Sequence, residues 1–185
     1  MMQHLKLITL PLLLAVTSLS GCATLSEGEC RVADWYDVGQ RDGVEGRSED
    51  YILQHAKACG KYGQTPNRER WMDGRFVGLA QYCTVQNGFA VGNAGNGYGG
   101  VCRVREEDAF LHGYGVGQEL YRARIHLASI ESDIHDAEHD LHADKLDDKE
   151  RKKIEHRLRE LEFEHGYAQH AYDELEARSR ALANR

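Results

Sequence analysis

Apolar residues follow three different patterns along the chain. Leu7 to Leu19 is a nearly continuous apolar run, broken only by Thr9, Pro11, Thr17 and Ser18. It is shorter than the ~20 residues a spanning helix needs, and it follows a short polar start carrying Lys6. That combination predicts a secretory leader over residues 1–21. At the other end, Leu120, Leu127, Ile134 and Leu141 recur at heptad spacing, with Ala123, Ile130 and Ala137 on the intervening positions. A second seam runs through Ile154, Leu158, Leu161, Ala168, Tyr172, Leu175 and Leu182, with His165 as its polar interruption. The polar run Asp144–Asp148 separates the two seams. Two heptad helices joined by a short polar turn predict an antiparallel coiled-coil hairpin over residues 118–185. The first limb starts near Glu106 and the second runs from Lys149 to Leu182. One continuous helix in a parallel dimer is the alternative, and it requires Asp144-Lys145-Leu146-Asp147-Asp148 to be helical.

Between these ends the organising residue is glycine. Seventeen of the nineteen glycines lie between Gly28 and Gly117, which sets residues 22–117 apart as a second region. Within it an aromatic-x-x-Gly-x-x-x-Gly pattern occurs at Tyr36/Gly39/Gly43, Trp71/Gly74/Gly78 and Phe110/Gly113/Gly117. This spacing puts the three residues on one helical face. Each interior glycine costs about 1 kcal/mol against alanine. Repeating that cost on one face predicts helices packed through small residues, with the aromatic at the edge of the contact. A membrane-embedded version is excluded by Arg41, Asp42, Asp73 and Arg75 inside the segments. Helices are expected over Ala33–Arg47, Glu49–Cys59 and, after a turn at Gly60–Pro66 and an N-cap at Asn67, up to Cys83. Thr84–Val101 is so rich in Gly and Asn that it reads as a loop, pinned to the core by Phe89 and Tyr98.

The leader ends in Leu19-Ser20-Gly21-Cys22. Small residues before a cysteine at the end of an apolar run read as a lipoprotein cleavage site. Cys22 would then take a diacylglycerol thioether, and its freed amine an acyl chain such as palmitate. Multiple chains anchor stably where one is marginal. Ala23 follows the cysteine where an Asp would favour inner-membrane retention, so the expected location is the outer membrane, facing the periplasm. In that oxidising compartment Cys30, Cys59, Cys83 and Cys102 are expected as two disulfides. Sequence alone allows three pairings. Cys30–Cys59 with Cys83–Cys102 is favoured, because the second bond would staple the glycine-rich loop.

Charge and side-chain chemistry narrow the function classes. The net charge is −7, one unit more negative once Lys6 is removed. Nucleic acid is therefore not an expected partner, since phosphate contacts need a basic patch. No Gly-x-Ser-x-Gly elbow, phosphate loop or His-Glu-x-x-His motif is present. His135, His139 and His142 recur at helical spacing and form a weak metal-chelating candidate. They fall on outer heptad positions, where a solvated face is the plainer explanation. No cofactor is implied, and the chain is expected not to be an enzyme.

The run Asp34-Trp35-Tyr36-x-x-Gly39-x-x-Asp42-Gly43, together with Cys30, Cys59, Gly63, Gly78-Leu79, Tyr82-Cys83, Asn87-Gly88, Gly92, Tyr98 and Cys102, resembles domain-of-unknown-function family 2799, short lipoproteins of Gram-negative bacteria. The resemblance covers residues 22 to 120, with the hairpin as an extension. It implies an envelope location and a disulfide-bonded helical core, and brings no catalytic residues with it. The whole reads as a mainly α protein, a compact disulfide-stapled domain with a glycine-rich loop continuing into the hairpin. Its expected role is that of a lipid-anchored envelope protein of structural or interaction type. The partner would be an envelope protein or a second copy, met through the hairpin. The alternative is a metal- or pH-responsive periplasmic factor using the histidine face.

Overall fold

A computed structural model describes residues 23–143 and 145–183. The leader over residues 1–21, the expected lipidation residue Cys22 and Asp144 of the expected turn lie outside the described residues. All regular structure among the described residues is helical. The order is α1 (Glu27–Val32), α2 (Trp35–Val44), a 3-10 turn (Glu49–Tyr51) running into α3 (Ile52–Gly60), α4 (Arg68–Tyr82), α5 (Val85–Asn93), α6 (Val104–Leu141) and α7 (Asp148–Ala183).

The helices start where a polar side chain satisfies free backbone N–H groups. Ser26 and Glu29 form a capping box at α1. Asp34 accepts from the Tyr36 N–H at 2.8 Å, Asn67 from that of Arg70 at 3.0 Å, and Thr84 from that of Asn87 at 3.1 Å. The Thr84 cap begins α5, a helix where the composition predicts a loop. α5 exists because its poor intrinsic propensity is outweighed by packing: Gly88 and Gly92 are buried against α6.

Two pairs of helices are locked together through glycine. In the first, Gly39 and Gly43 of α2 sit on the backbone carbonyls of Trp71 and Arg75, while Gly74 and Gly78 of α4 sit on those of Tyr36 and Gln40. In the second, Gly88 and Gly92 of α5 meet the carbonyls of Phe110 and Tyr114, and Gly113 and Gly117 of α6 meet those of Val85 and Phe89. A Cβ at any of these eight positions would overlap backbone of the facing helix. The glycine face is thus a reciprocal backbone-to-backbone contact. Two of the three aromatics are not at its edge: Trp71 and Phe110 are wholly buried, each within its own core cluster.

The two locks are copies of one design. Gly39, Gly43 and Gly46 recur as Gly88, Gly92 and Gly95, and Trp71, Gly74, Gly78 and Tyr82 recur as Phe110, Gly113, Gly117 and Tyr121. Gly46 and Gly95 end α2 and α5 at positive φ, 69° and 74°. The Arg47 N–H returns to the Asp42 carbonyl and the Asn96 N–H to the Val91 carbonyl, at 2.9 and 3.1 Å, which is the Schellman closure. The Tyr82 ring covers Gly46 and the Tyr121 ring covers Gly95. Even the bond across each lock is repeated: Arg75 Nε donates to the Arg47 carbonyl at 2.7 Å, and the Tyr114 hydroxyl to the Asn96 carbonyl at 3.0 Å.

Each half carries one disulfide, Cys30–Cys59 and Cys83–Cys102. Each bond joins the segment leading into the first helix of a lock to the segment leading into the second. With sequence separations of 29 and 19, loop-closure entropy assigns roughly 3–4 kcal/mol to each.

Helix α6 continues beyond the second lock without a break and pairs with α7 as an antiparallel hairpin. Leu120, Leu127, Ile130 and Ala137 are buried on α6, and Ala168 on α7 packs with Leu127, Ile130, Leu161 and Ile134. Arg178–Glu119, His165–Glu131 and Arg157–Asp133, at 3.4, 3.5 and 3.7 Å, tie the limbs together. α6 ends at Leu141, and a reciprocal Asp147–Glu150 capping box starts α7. That reset of the backbone rules out a single continuous helix.

Candidate functional site

Asp42, His55 and Trp71 form a buried polar network at the heart of the first half. Asp42 comes from α2, next to Gly43 of the lock; Trp71 comes from the facing α4, and His55 from α3. Asp42 Oδ2 accepts from Trp71 Nε1 at 2.7 Å and pairs with His55 Nε2 at 2.8 Å. His55 Nδ1 bonds Thr24 Oγ1 at 2.8 Å. Asp42 is 6 % exposed and His55 2 % exposed, so each depends on these bonds in place of water. A buried charge without such partners costs several kcal/mol. Around the histidine, the Tyr51 ring stands edge-on at 5.1 Å and the Trp35 ring lies 6.2 Å away.

The network opens to one side. A cleft of about 290 Å³ is lined by Thr24, Glu29, Arg41, Glu45, Tyr51 and His55, among others. One turn after Trp71 on α4, Arg75 is buried at 5 % exposure with its guanidinium 5.8 Å from the indole centre. Burial pushes the Arg75 guanidinium below its ordinary value, and Glu49 at 3.9 Å opposes that shift.

The second half shows what the first has added. By the spacing of the lock glycines, Val91 and Phe110 stand where the first half has Asp42 and Trp71, and Tyr98 precedes Cys102 by four residues as His55 precedes Cys59. These form an aromatic and aliphatic core, with Tyr98 and Phe110 ring centres 4.6 Å apart. The Tyr98 hydroxyl accepts from the Cys102 N–H and donates to Glu107, both at 2.9 Å, which fixes the glycine-rich connection between α5 and α6. Burial pushes that hydroxyl above its usual titration range. The carboxylate–imidazole pair belongs to the first half alone.

Chemically, an ionised Asp42 requires His55 Nε2 to carry the shared proton. In a neutral ring, Nδ1 then accepts from the Thr24 hydroxyl. Hydroxyl, imidazole and carboxylate in this order resemble a nucleophilic relay. Here Asp42 Oδ2 is also held by Trp71, and both ring nitrogens of His55 are occupied. The relay's main effect is to fix Thr24 to α2 and α3.

The sites read from sequence are distributed differently. The four cysteines beyond Cys22 pair as favoured. His135, His139 and His142 occupy an exposed stripe at the end of α6, and His142 Nδ1 bonds the Glu138 carbonyl of its own helix at 2.8 Å. Among the described residues no three or more His, Cys, Asp or Glu side chains gather to hold a metal ion. No helix among them is long and apolar enough to cross a membrane. Sequence reasoning misses Thr24, Asp42, His55 and Trp71 as a unit. Their only trace in the sequence is polar residues set among core positions: Asp42 beside a lock glycine, and His55 one turn before Cys59.

No curated protein and no solved structure matches the chain. One family does, described as a protein of unknown function (DUF2799). The match begins at the Asp34 cap of α2, takes in both locks and the Asp42–His55–Trp71 network, and stops as α6 enters the hairpin. Over residues 34–119 the chain matches the DUF2799 family.

Proposed function

We propose that this is a lipid-anchored protein of the cell envelope with a structural or protein-docking role, in which the glycine-locked core presents the α6–α7 hairpin as an arm. In this reading Cys22 is the lipidated residue, and the location is the outer membrane, facing the periplasm. The observation that carries it is the continuity of α6. A single helix of 38 residues begins inside a disulfide-stapled lock and ends at the hairpin turn, so the arm is rigidly rooted. Its α7 limb keeps Phe163 and Tyr167 82 % and 77 % exposed, one turn apart on its outer face. Large aromatics in that position supply contact area at small entropic cost, which is why they are enriched where proteins dock.

The test is photo-crosslinking in cells from Phe163 and from Arg159, an exposed neighbour on the same limb. A discrete adduct from Phe163, lost when Tyr167 is changed to Ser, supports the arm; its mass separates a second copy from another envelope protein. Diffuse labelling from both positions removes the docking role.

A further inference from the structure

The described chain is fixed to the core from Thr24 onward. Thr24 is bonded to His55, Leu25 is 5 % exposed within the first core cluster, and Ser26 caps α1. Cys22 is only two peptide units before Thr24. At 3.8 Å between consecutive Cα atoms, the reach from Cys22 to the fixed chain is at most about 7.6 Å. A lipid on Cys22 therefore has no linker behind it.

We infer that the surface around Thr24 and α1 lies against the headgroup layer in which the Cys22 lipid is seated, so that the protein is held in one orientation on its membrane. This rests on the lipidation of Cys22 proposed above. The surface has a composition suited to that place. Val32 is 83 % exposed at the end of α1 and shares a shallow groove with Leu25 and Val38, edged by Glu29, Asp34, Asp37 and Arg41. Apolar groups with charges of both signs at the rim match a zwitterionic interface, where apolar atoms meet the acyl boundary and charges meet ammonium and phosphate. The net charge of −7 gives no general attraction to anionic lipid. Contact is imposed by the anchor, and the Thr24–His55–Asp42 chain shortens the tether by holding Thr24 to the core.

The hairpin turn serves as the distant reference position. α6 starts beside α4, with Arg103 stacked over the Phe76 ring at 4.3 Å. It then runs about 56 Å to Leu141 at 1.5 Å per residue.

The experiment uses the full chain, expressed with its own leader and reconstituted into phosphatidylethanolamine/phosphatidylglycerol vesicles carrying a headgroup TEMPO quencher. A fluorophore is placed at Val32→Cys or, for comparison, at Lys149→Cys near the hairpin turn. Strong quenching at position 32 and none at position 149 is expected. A flexible Gly/Ser insert of roughly 15 residues between Ala23 and Thr24, spanning about 20 Å, should abolish the difference while vesicle attachment persists. Trp35 gives a reading without a cysteine change, with Trp35→Phe as the blank because Trp71 is fully buried. Position 32 unquenched on acylated, vesicle-bound protein overturns the apposed face, as does quenching that the insert leaves unchanged. Mass spectrometry of the amino-terminal peptide separates lipidation from orientation: an unmodified Cys22 removes the lipidation reading and the apposed face with it.

Discussion

At the scale of single residues, the glycines divide into those that the packing requires and those that it does not. Gly74 faces the Tyr36 carbonyl across the first lock, and an added methyl has nowhere to go because the obstacle is backbone. Gly115 sits in the interior of α6, where an added methyl would meet nothing within 4 Å. Gly74→Ala is therefore expected to destabilise by about 3 kcal/mol or more, as overpacking against a fixed backbone does. Gly115→Ala should stabilise by about 1 kcal/mol through helix propensity alone. Urea unfolding of both variants checks this; a Gly74→Ala protein as stable as the parent would refute the lock. The same contrast explains what can be read in advance. The one-face spacing of Gly39/Gly43, Gly74/Gly78 and Gly113/Gly117 betrays a close approach. The fourth copy, Gly88/Gly92, is hidden because Val85 stands where the other three copies have an aromatic, and the surrounding Asn and Gly resemble a loop. The Thr24–His55–Asp42 chain is hidden for another reason: its partners are distant in sequence, and no local pattern announces a bond that only tertiary packing creates.

At the scale of elements, α2 and α4 are joined at one end by a charge pair as well as by glycine. The Asp34 carboxylate caps α2 and also accepts from Arg70 of α4 at 3.0 and 3.1 Å. The Arg70 hydrogen bond, and after it the Tyr36 backbone N–H, hold the Asp34 carboxyl below its ordinary value of 3.8. A carboxyl depressed by folding contributes stability that is fully present above its unfolded value and is lost as pH falls through the lower folded value. Asp34→Asn retains a good N-cap residue but removes the charge. The variant's urea midpoint should lie below the parent's at neutral pH, with the gap closing as pH falls below 3.8. A gap independent of pH would show that the effect comes from capping alone. The hairpin elements are the easiest to foresee, since Leu120, Leu127, Ile130 and Ala137 announce a buried seam by period. The capping box that stops the chain from continuing as one helix depends on the reciprocal Asp147–Glu150 pair, which periodicity does not reveal.

At the scale of the whole molecule, the protein is a duplicated lock with an arm grown from its second copy. Each lock has its own disulfide, its own buried aromatic and its own Schellman end, so the pair should stand without the arm. A chain ending at Arg124 keeps the Tyr121 ring over Gly95 and the Arg124 bond to the Asn93 carbonyl at 3.0 Å. It is expected to fold with both disulfides and to unfold in one cooperative urea transition. Loss of cooperativity, or scrambled disulfides, would show that α7 is needed to close the core. The two copies also differ in temperament. The first buries the polar groups of Asp42, His55 and Arg75, and the second fills the matching positions with Val91, Tyr98 and Tyr114. Buried polar groups must be matched one to one, whereas apolar ones tolerate repacking, so the first copy is the more exacting in its geometry.

Helix α6 has a mechanical consequence. It is a beam clamped at one end, with its clamp made of four glycines: Gly113 and Gly117 bear directly on the backbone of α5, and Gly88 and Gly92 of α5 bear on its own. Side chains cushion most helix contacts and let them slide by fractions of an ångström; a backbone bearing has one seat. A sideways pull on the turn beyond Leu141 is multiplied by the length of the beam before it reaches that seat. The joint therefore stays rigid under small loads and releases as a unit under large ones, behaving more like a latch than a spring.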